Sequence, residues 1–316
     1  MVMRECNKFE QVIRKITPKS RLLRTWNLEG GGSSEMAALE IEDSNGLIRK
    51  VVLRLPRKGA IKQNIQKIER EFKILQMTFS LGLPTQKPYY LDRSCEIFSR
   101  PYMVIEYIDG KQEFAPSNLS DYILQMATHL AGIHSVNCSV SDLSFLSEKA
   151  EIFDELSHRK SINNSLLSSD EGLIREVLKD VWPLHQRNSS LLLHGDFWTG
   201  NILWQDDKLV AIIDWEEGRA GDPLIDLVIT RLDILCIFGI EAMDSFTTHY
   251  KSLMAIDYTD LPYWDLWAAL RLGRKVGTTL TECASFFTPL GRADITEKTI
   301  RESYNFFITR VLGSLM

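Results

Sequence analysis

The chain opens with short runs of alternating apolar and polar residues and settles into helical spacing only later. Residues 22–28 and 36–42 read as short strands on either side of the polar string Glu29-Gly30-Gly31-Gly32-Ser33-Ser34. A third β-rich run, Val51-Val52-Leu53-Arg54-Leu55, stops at Pro56, so the three predict a small antiparallel sheet. From Ile65 to Met77 the apolar residues Ile65, Ile68, Phe72 and Leu75 recur every three or four positions between charged ones, which predicts an amphipathic helix. A further strand, residues 101–107, runs into Ile108-Asp109-Gly110, and a hinge is expected near 106–110.

Beyond that hinge the spacing is mainly helical. Ile123, Met126, Leu130 and Ile133 mark one helix face, with Ser120 placed to cap its start. The exception is residues 191–214, where Leu191-Leu192-Leu193 precedes His194-Gly195-Asp196. Two strand-like segments, Ile202-Leu203-Trp204 and Leu209-Val210-Ala211-Ile212-Ile213, follow and are joined by the polar Gln205-Asp206-Asp207-Lys208 as in a hairpin. Polar groups thus stand at the ends of apolar strands, where a rigid scaffold holds reactive side chains. The division expected is 1–107 and 108–316.

Composition narrows the function classes. With 316 residues, 44% hydrophobic and 25% charged, the chain suits two packed lobes rather than a disordered or fibrous protein. A formal net charge of -5 speaks against a nucleic-acid partner, whose phosphates need a local excess of Lys and Arg. Cys6, Cys95, Cys138, Cys236 and Cys283 are scattered and form no Cys-x-x-Cys pair, so neither a disulfide framework nor a zinc site is expected. The first residues lack a signal-peptide core, and the apolar run 234–240 is too short to cross a bilayer. No membrane role and a cytoplasmic home are expected.

The chemistry concentrates in 191–214. Phosphoryl transfer from a triphosphate needs a carboxylate near the acceptor hydroxyl and oxygen ligands for Mg²⁺. Asp196 and Asn201 are separated as are the Asp and Asn of a kinase catalytic loop, and Asp214 ends the next apolar strand. Taken singly, His-Gly-Asp is also ordinary turn material and Ile-Asp-Trp an ordinary strand end.

Three blocks in order change that reading: His-Gly-Asp-Phe-Trp-Thr-Gly-Asn-Ile-Leu-Trp, then Ile-Ile-Asp-Trp-Glu-Glu, then Gly-Asp-Pro-Leu-Ile-Asp-Leu. Together they resemble the aminoglycoside-phosphotransferase family. The resemblance implies a bilobal protein-kinase-like α+β fold, with a small antiparallel-sheet N-lobe that binds nucleotide and a mainly helical C-lobe that holds the catalytic groups and the acceptor. It implies Asp196 as the catalytic carboxylate, Asn201 and Asp214 as the Mg²⁺ ligands, and residues 221–226 as a structural brace for the catalytic loop. Thr199 stands where relatives commonly have proline.

In the first lobe, Gly31, Gly32, Ser33 and Ser34 are candidates to fold over the triphosphate, because glycines let backbone N–H groups approach phosphate oxygens. The string matches neither the kinase Gly-x-Gly-x-x-Gly nor the Walker loop, and reads equally as a flexible turn. A kinase-like third strand presents a cation to the phosphates, held by a carboxylate on the following helix. Arg54 and Glu71 are the candidates, Glu71 matching the family's helix better than Glu69 and Arg54 departing from the lysine of better-known members. Residues 103–108 resemble the family's hinge, placing Glu106 and Ile108 at the adenine edge; an ordinary buried strand explains the same residues.

The acceptor is left open by conflicting hints. Glu216, Glu217, Asp257, Asp260 and Asp265 would attract a polyamine sugar, yet most of them are expected to be solvated surface charges. Tyr263, Trp264 and Trp267 share a helix side and fit either a ring-binding wall or core. Arg271, Arg274 and Lys275 would suit an anionic acceptor or salt bridges to neighbouring carboxylates. His134 and His249 lie in helical stretches and read as packing or capping residues. The sequence therefore predicts a kinase that moves the γ-phosphate of ATP or GTP, with Mg²⁺, to a hydroxyl of a small molecule. An aminoglycoside-type antibiotic, and hence resistance, is one acceptor class and a hydroxylated metabolite another; a nucleotide-binding regulatory module without catalysis is the alternative of a different class. A protein kinase fits less well, since no Ala-Pro-Glu follows Asp214.

Overall fold

The computed structural model of the chain describes residues 2–28, 34–57, 61–136, 145–146, 171–275 and 280–315. They fall into two compact units, residues 1–110 with 210–216, and residues 111–209 with 217–316.

The first unit is built on helix α1 (Val2–Ile16), strands β1 (Arg21–Leu28), β2 (Ser34–Glu42) and β3 (Ile48–Pro56), helix α2 (Ile61–Ser80), and strands β4 (Pro88–Asp92) and β5 (Tyr102–Glu106). The five strands form one antiparallel sheet in the order β1-β2-β3-β5-β4. Alternation along a strand sends successive side chains to opposite faces. Ala37, Leu39 and Ile41 of β2 and Val51, Leu53 and Leu55 of β3 thereby join Val12 and Ile13 of α1 in one buried cluster. The intervening Arg54 points to the other face and reaches α2, whose buried side consists of Ile68, Glu71, Ile74, Leu75 and Thr78. The returning segment 210–216 is tied in by Ile212, whose N–H donates to the Pro84 carbonyl at 2.7 Å.

The second unit holds α3 (Leu119–His134), α4 (Glu171–Val181), β6 (Leu191–Leu193), a 3₁₀ turn at Thr199–Asn201, β7 (Ile202–Gln205), the start of β8 (Lys208–Ile212), β9 (Arg219–Gly221), and helices α5 (Leu224–Phe238), α6 (Ile240–Leu253), α7 (Leu261–Lys275), α8 (Leu280–Phe287) and α9 (Glu297–Leu315). The β7–β8 hairpin forms as the sequence predicts. Asp206 and Asp207 sit at φ 50° and 58°, the left-handed pair of a two-residue type I′ turn. Helix α5 is buried on nearly all sides, as an apolar helix without a polar stripe must be.

Three expectations change in detail. The cap of α3 is Asn118, not Ser120; its side chain accepts the Asp121 N–H at 3.1 Å, so the helix starts earlier than the apolar periodicity indicates. Asp260 and Asp265 are buried rather than solvated, paired with Arg187 at 2.9 Å and Arg231 at 2.6 Å. Glu216 is drawn into the Arg54 cluster described below. Trp264 and Trp267 are core, and His134 is packed, with Nδ1 2.6 Å from the Tyr250 hydroxyl. Among the described residues no helix is long and apolar enough to cross a membrane.

Candidate active site

In the second unit the loop after β6 is fixed from beneath by one carboxylate. Pairing of β6 with β9 aligns Leu193 with Arg219, and the chain then enters α5, whose first turn carries Asp226. Asp226 Oδ2 accepts the His194 backbone N–H at 2.7 Å and Oδ1 that of Gly195 at 2.8 Å, while His134 Nε2 lies 3.3 Å from Oδ2. Burial opposes this charge, but the His134 hydrogen bond and the charges of His134, His194 and Arg219 outweigh it and hold the carboxyl down at about 2. Thr230, one turn on, donates its hydroxyl to the Phe197 carbonyl at 2.7 Å. The 221–226 block is thus a brace whose working group is Asp226.

The sharp bend of this loop depends on Gly195. Its φ is 81°, and a Cβ there would lie 2.3 Å from the Glu217 carbonyl oxygen. A left-handed backbone against another peptide leaves room only for glycine. The bend presents Asp196, whose side chain stays about a fifth exposed (20%). The 3₁₀ turn then brings Asn201 back to it. Asn201 Nδ2 donates to the Asp196 carbonyl at 2.9 Å and to Oδ2 at 3.2 Å, which turns the amide oxygen of Asn201 away from Asp196. From α7, Arg271 Nη2 donates to the Gly195 carbonyl at 3.0 Å and lies 3.3 Å from Asp196 Oδ1. Both oxygens of the Asp196 carboxylate are therefore engaged.

In the first unit the centre is Arg54. Its Nε donates to Ser34 Oγ at 3.1 Å, Nη1 meets Glu71 at 2.7 Å, and Nη2 meets Asp214 at 2.7 Å and Glu216 at 3.2 Å. Burial alone would favour a neutral guanidine, but Glu71, Asp214 and Glu216 keep it charged and raise its pKa further. Burial pushes the Glu71 carboxyl up, to about 7, with Arg54 opposing and the negative Asp214 and Glu216 assisting. Asp214 has φ 64°, a left-handed backbone uncommon outside glycine and often found where strain serves a site. Glu69, by contrast, faces Arg93 on the surface. Periodicity alone does not separate Glu69 from Glu71; the partner does.

The remaining candidates are placed as follows. Ser34 is buried at the start of β2, while Gly31, Gly32 and Ser33 lie outside the described residues. Glu106 ends β5 with its N–H given to the Lys87 carbonyl at 2.8 Å and its own carbonyl accepting from Gln86 Nε2 at 2.8 Å. Ile108 follows in irregular, half-buried chain. Sequence reasoning did not single out Arg70, whose Nη2 donates to the Glu216 carbonyl at 2.7 Å. It also left unassigned the contact of Arg271 with the 194–201 loop; the only signal was a basic cluster on one helix face.

Residues 27–277 match the phosphotransferase enzyme family, and the chain belongs to that family. Solved structures share its kinase-like fold at low identity. An aminoglycoside phosphotransferase-like protein from Ralstonia eutropha is 15% identical with a TM-score of 0.66, covering 95% of this chain and 97% of that one. The streptomycin–ATP ternary complex of APH(2″)-IIa is 18% identical with a TM-score of 0.56, covering 84% and 89%. A macrolide 2′-phosphotransferase from Brachybacterium faecium is 14% identical with a TM-score of 0.59, covering 95% and 98%. By sequence, acyl-CoA dehydrogenase family member 11 of Mus musculus is 25% identical over 259 residues, 72% of this chain and 32% of that protein. Family member 10 of the same species is 26% identical over 200 residues, 58% of this chain and 18% of that protein. The chain therefore spans about a third or less of the length of these curated relatives.

Proposed function

We propose that this chain transfers the γ-phosphoryl group of ATP or GTP, with Mg²⁺, to a hydroxyl of a small molecule. The observation that carries the reading is the loop in which Asp226 braces the backbone under Asp196 while Asn201 and Arg271 engage the Asp196 carboxylate, in a chain of this family. In the step itself, a bond forms between the acceptor oxygen and the γ-phosphorus, and the bond from that phosphorus to the leaving diphosphate oxygen breaks. Asp196 orients the acceptor hydroxyl and takes its proton. Arg54, held by Glu71, binds phosphate oxygens with its fork, and Ser34 with Gly31, Gly32 and Ser33 covers the triphosphate. Glu106 and Ile108 are assigned to the adenine edge.

The donor chemistry suits Mg²⁺. Asn201 and Asp214 offer hard oxygen ligands, and three carboxylates, Glu71, Asp214 and Glu216, surround the single guanidinium of Arg54. Mg²⁺ ordinarily takes one or two protein oxygens and completes its shell with phosphates and water, so a preassembled cage is not required. Among the described residues no such cage of three or more His, Cys, Asp or Glu occurs. When bound, the ion would neutralise phosphate charge as it shifts to the leaving group.

Within this reading a hydroxylated metabolite is favoured over a polycationic antibiotic as acceptor. Asp260 and Asp265, two of the acids that would greet a polyamine, are committed to Arg187 and Arg231. The relatives' names also point to acyl-thioester metabolism. The test is acceptor-dependent release of nucleoside diphosphate by purified protein with Mg²⁺ and ATP or GTP. The panel spans aminoglycosides, macrolides and hydroxylated metabolites, hydroxyacyl thioesters among them, with Asp196→Asn as control. Turnover abolished by the substitution supports the reading; failure to bind nucleotide at all overturns it.

A further inference from the structure

Arg271 touches the loop at two atoms that matter for different reasons. The Gly195 carbonyl, 3.0 Å from Nη2, belongs to the peptide plane that leads into Asp196, and Oδ1, 3.3 Å away, belongs to the carboxylate itself. On the opposite side of the same turn, Asp226 holds the N–H groups of His194 and Gly195. The segment is clamped between a carboxylate on its amide side and a guanidinium on its carbonyl side. Asp226 holds only the two preceding amides; the Gly195–Asp196 peptide itself is held at its N–H by His194 Nδ1, which accepts the Asp196 N–H at 3.3 Å, and at its carbonyl by Arg271.

The helical segment that precedes Arg271 is well packed. Leu266, Trp267, Ala269 and Leu270 of α7 are buried, Asp265 is paired with Arg231 at 2.6 Å, and the Ala269 carbonyl accepts the Tyr304 hydroxyl of α9 at 3.1 Å. The Arg271 side chain is 15% exposed, so its interaction is partly shielded from the screening that makes surface ion pairs weak. A planar fork also keeps its direction better than a lysine ammonium.

We propose that Arg271 is a positioning residue of the catalytic loop, fixing the Gly195–Asp196 peptide and the Asp196 carboxylate in the orientation that meets the acceptor hydroxyl. The claim rests on the phosphotransfer reading for its purpose, but its structural part is measurable without an acceptor. Hydrogen–deuterium exchange is followed in the full chain for the native protein, Arg271→Lys and Arg271→Met. Peptides covering 194–201 are expected to exchange about tenfold faster in Arg271→Met, the loss of a charge-assisted bond, while 261–270 keep their native rate. Arg271→Lys restores most of the protection. With ATP, Mg²⁺ and a responsive acceptor, or water in its place, Arg271→Met is expected to lower kcat about 10²-fold with the KM for ATP nearly unchanged, the pattern of a misplaced reacting group.

Unchanged exchange at 194–201 in Arg271→Met overturns the proposal, and so does equal loosening of 194–201 and 261–270, which would make Arg271 a helix-docking residue. If the loop alone loosens while the native protein binds no nucleotide, the phosphotransfer reading fails and the anchoring of the loop by Arg271 stands.

Discussion

Arg54 and Glu71 meet at 2.7 Å with both side chains more than nine-tenths buried, one on a strand and the other on the helix that follows it. Removing the cation leaves Glu71, Asp214 and Glu216 facing one another. Arg54→Met is therefore expected to destabilise the protein by about 3–5 kcal/mol, the cost of stranding a buried charge. Glu71→Gln, which leaves Arg54 two carboxylates, should cost clearly less. Urea unfolding of the two variants checks the order; equal losses would argue against the cluster as described.

Asp196→Asn keeps the shape of the side chain and removes its basic oxygen. Turnover is expected to fall by about 10²–10⁴ with nucleotide affinity within a few-fold, as for a lost general base. Unchanged turnover removes Asp196 from that role, and isothermal titration with nucleotide separates a chemical defect from a binding one.

Gly195→Ala places a Cβ where the Glu217 carbonyl oxygen lies, 2.3 Å away, and does so at φ 81°. Neither backbone yields cheaply. We expect a loss of about 1–3 kcal/mol from the strained backbone, before the clash is counted, and a fall in turnover larger than the stability loss explains. A fully active, equally stable Gly195→Ala protein would show that the bend is not required.

The Asp226 carboxyl sits at about 2 in the folded chain against an ordinary 3.8. A depressed acid stabilises the fold above its unfolded pKa, so the contribution is complete above about pH 4 and disappears as pH falls toward 2. Its size is about 2 kcal/mol, from 1.36 kcal/mol per pKa unit. Unfolding free energies measured between pH 5 and 2 should show this loss, and Asp226→Asn should flatten the profile while lowering stability at neutral pH.

The cap of α3 gives a smaller but sharper contrast. Asn118→Ala is expected to cost about 1 kcal/mol and Ser120→Ala less than about 0.5, because only Asn118 accepts an orphan N–H of the first turn. A reversal in thermal unfolding would restore Ser120 as the cap.

What the sequence made legible follows from how local each signal is. The Asp196–Asn201 turn and the 205–208 hairpin are written within a few residues, and β3 and α2 announce themselves by period. Strand β4 does not: Pro88-Tyr89-Tyr90-Leu91-Asp92 lacks alternation and acquires its form from β5 beside it. Asp260 and Asp265 read as surface acids because carboxylates usually are, and nothing near them in sequence reveals Arg187 or Arg231. The contact between Arg271 and Asp196 is invisible for the same reason. Glu71 is singled out by family likeness, whereas its geometric warrant is Arg54 on strand β3, outside its own helix.

The chain leaves the first unit after residue 110, returns for residues 210–216 and departs again. No single stretch of gene encodes that unit. A recombinant that exchanged only residues 1–110 with a relative would draw Arg54 and Glu71 from one parent and Asp214 and Glu216 from the other, splitting one charge cluster between two ancestries. Inheritance of the Arg54 centre is thus tied to two separated exchanges, and chimeras of this family should be drawn with both segments moving together.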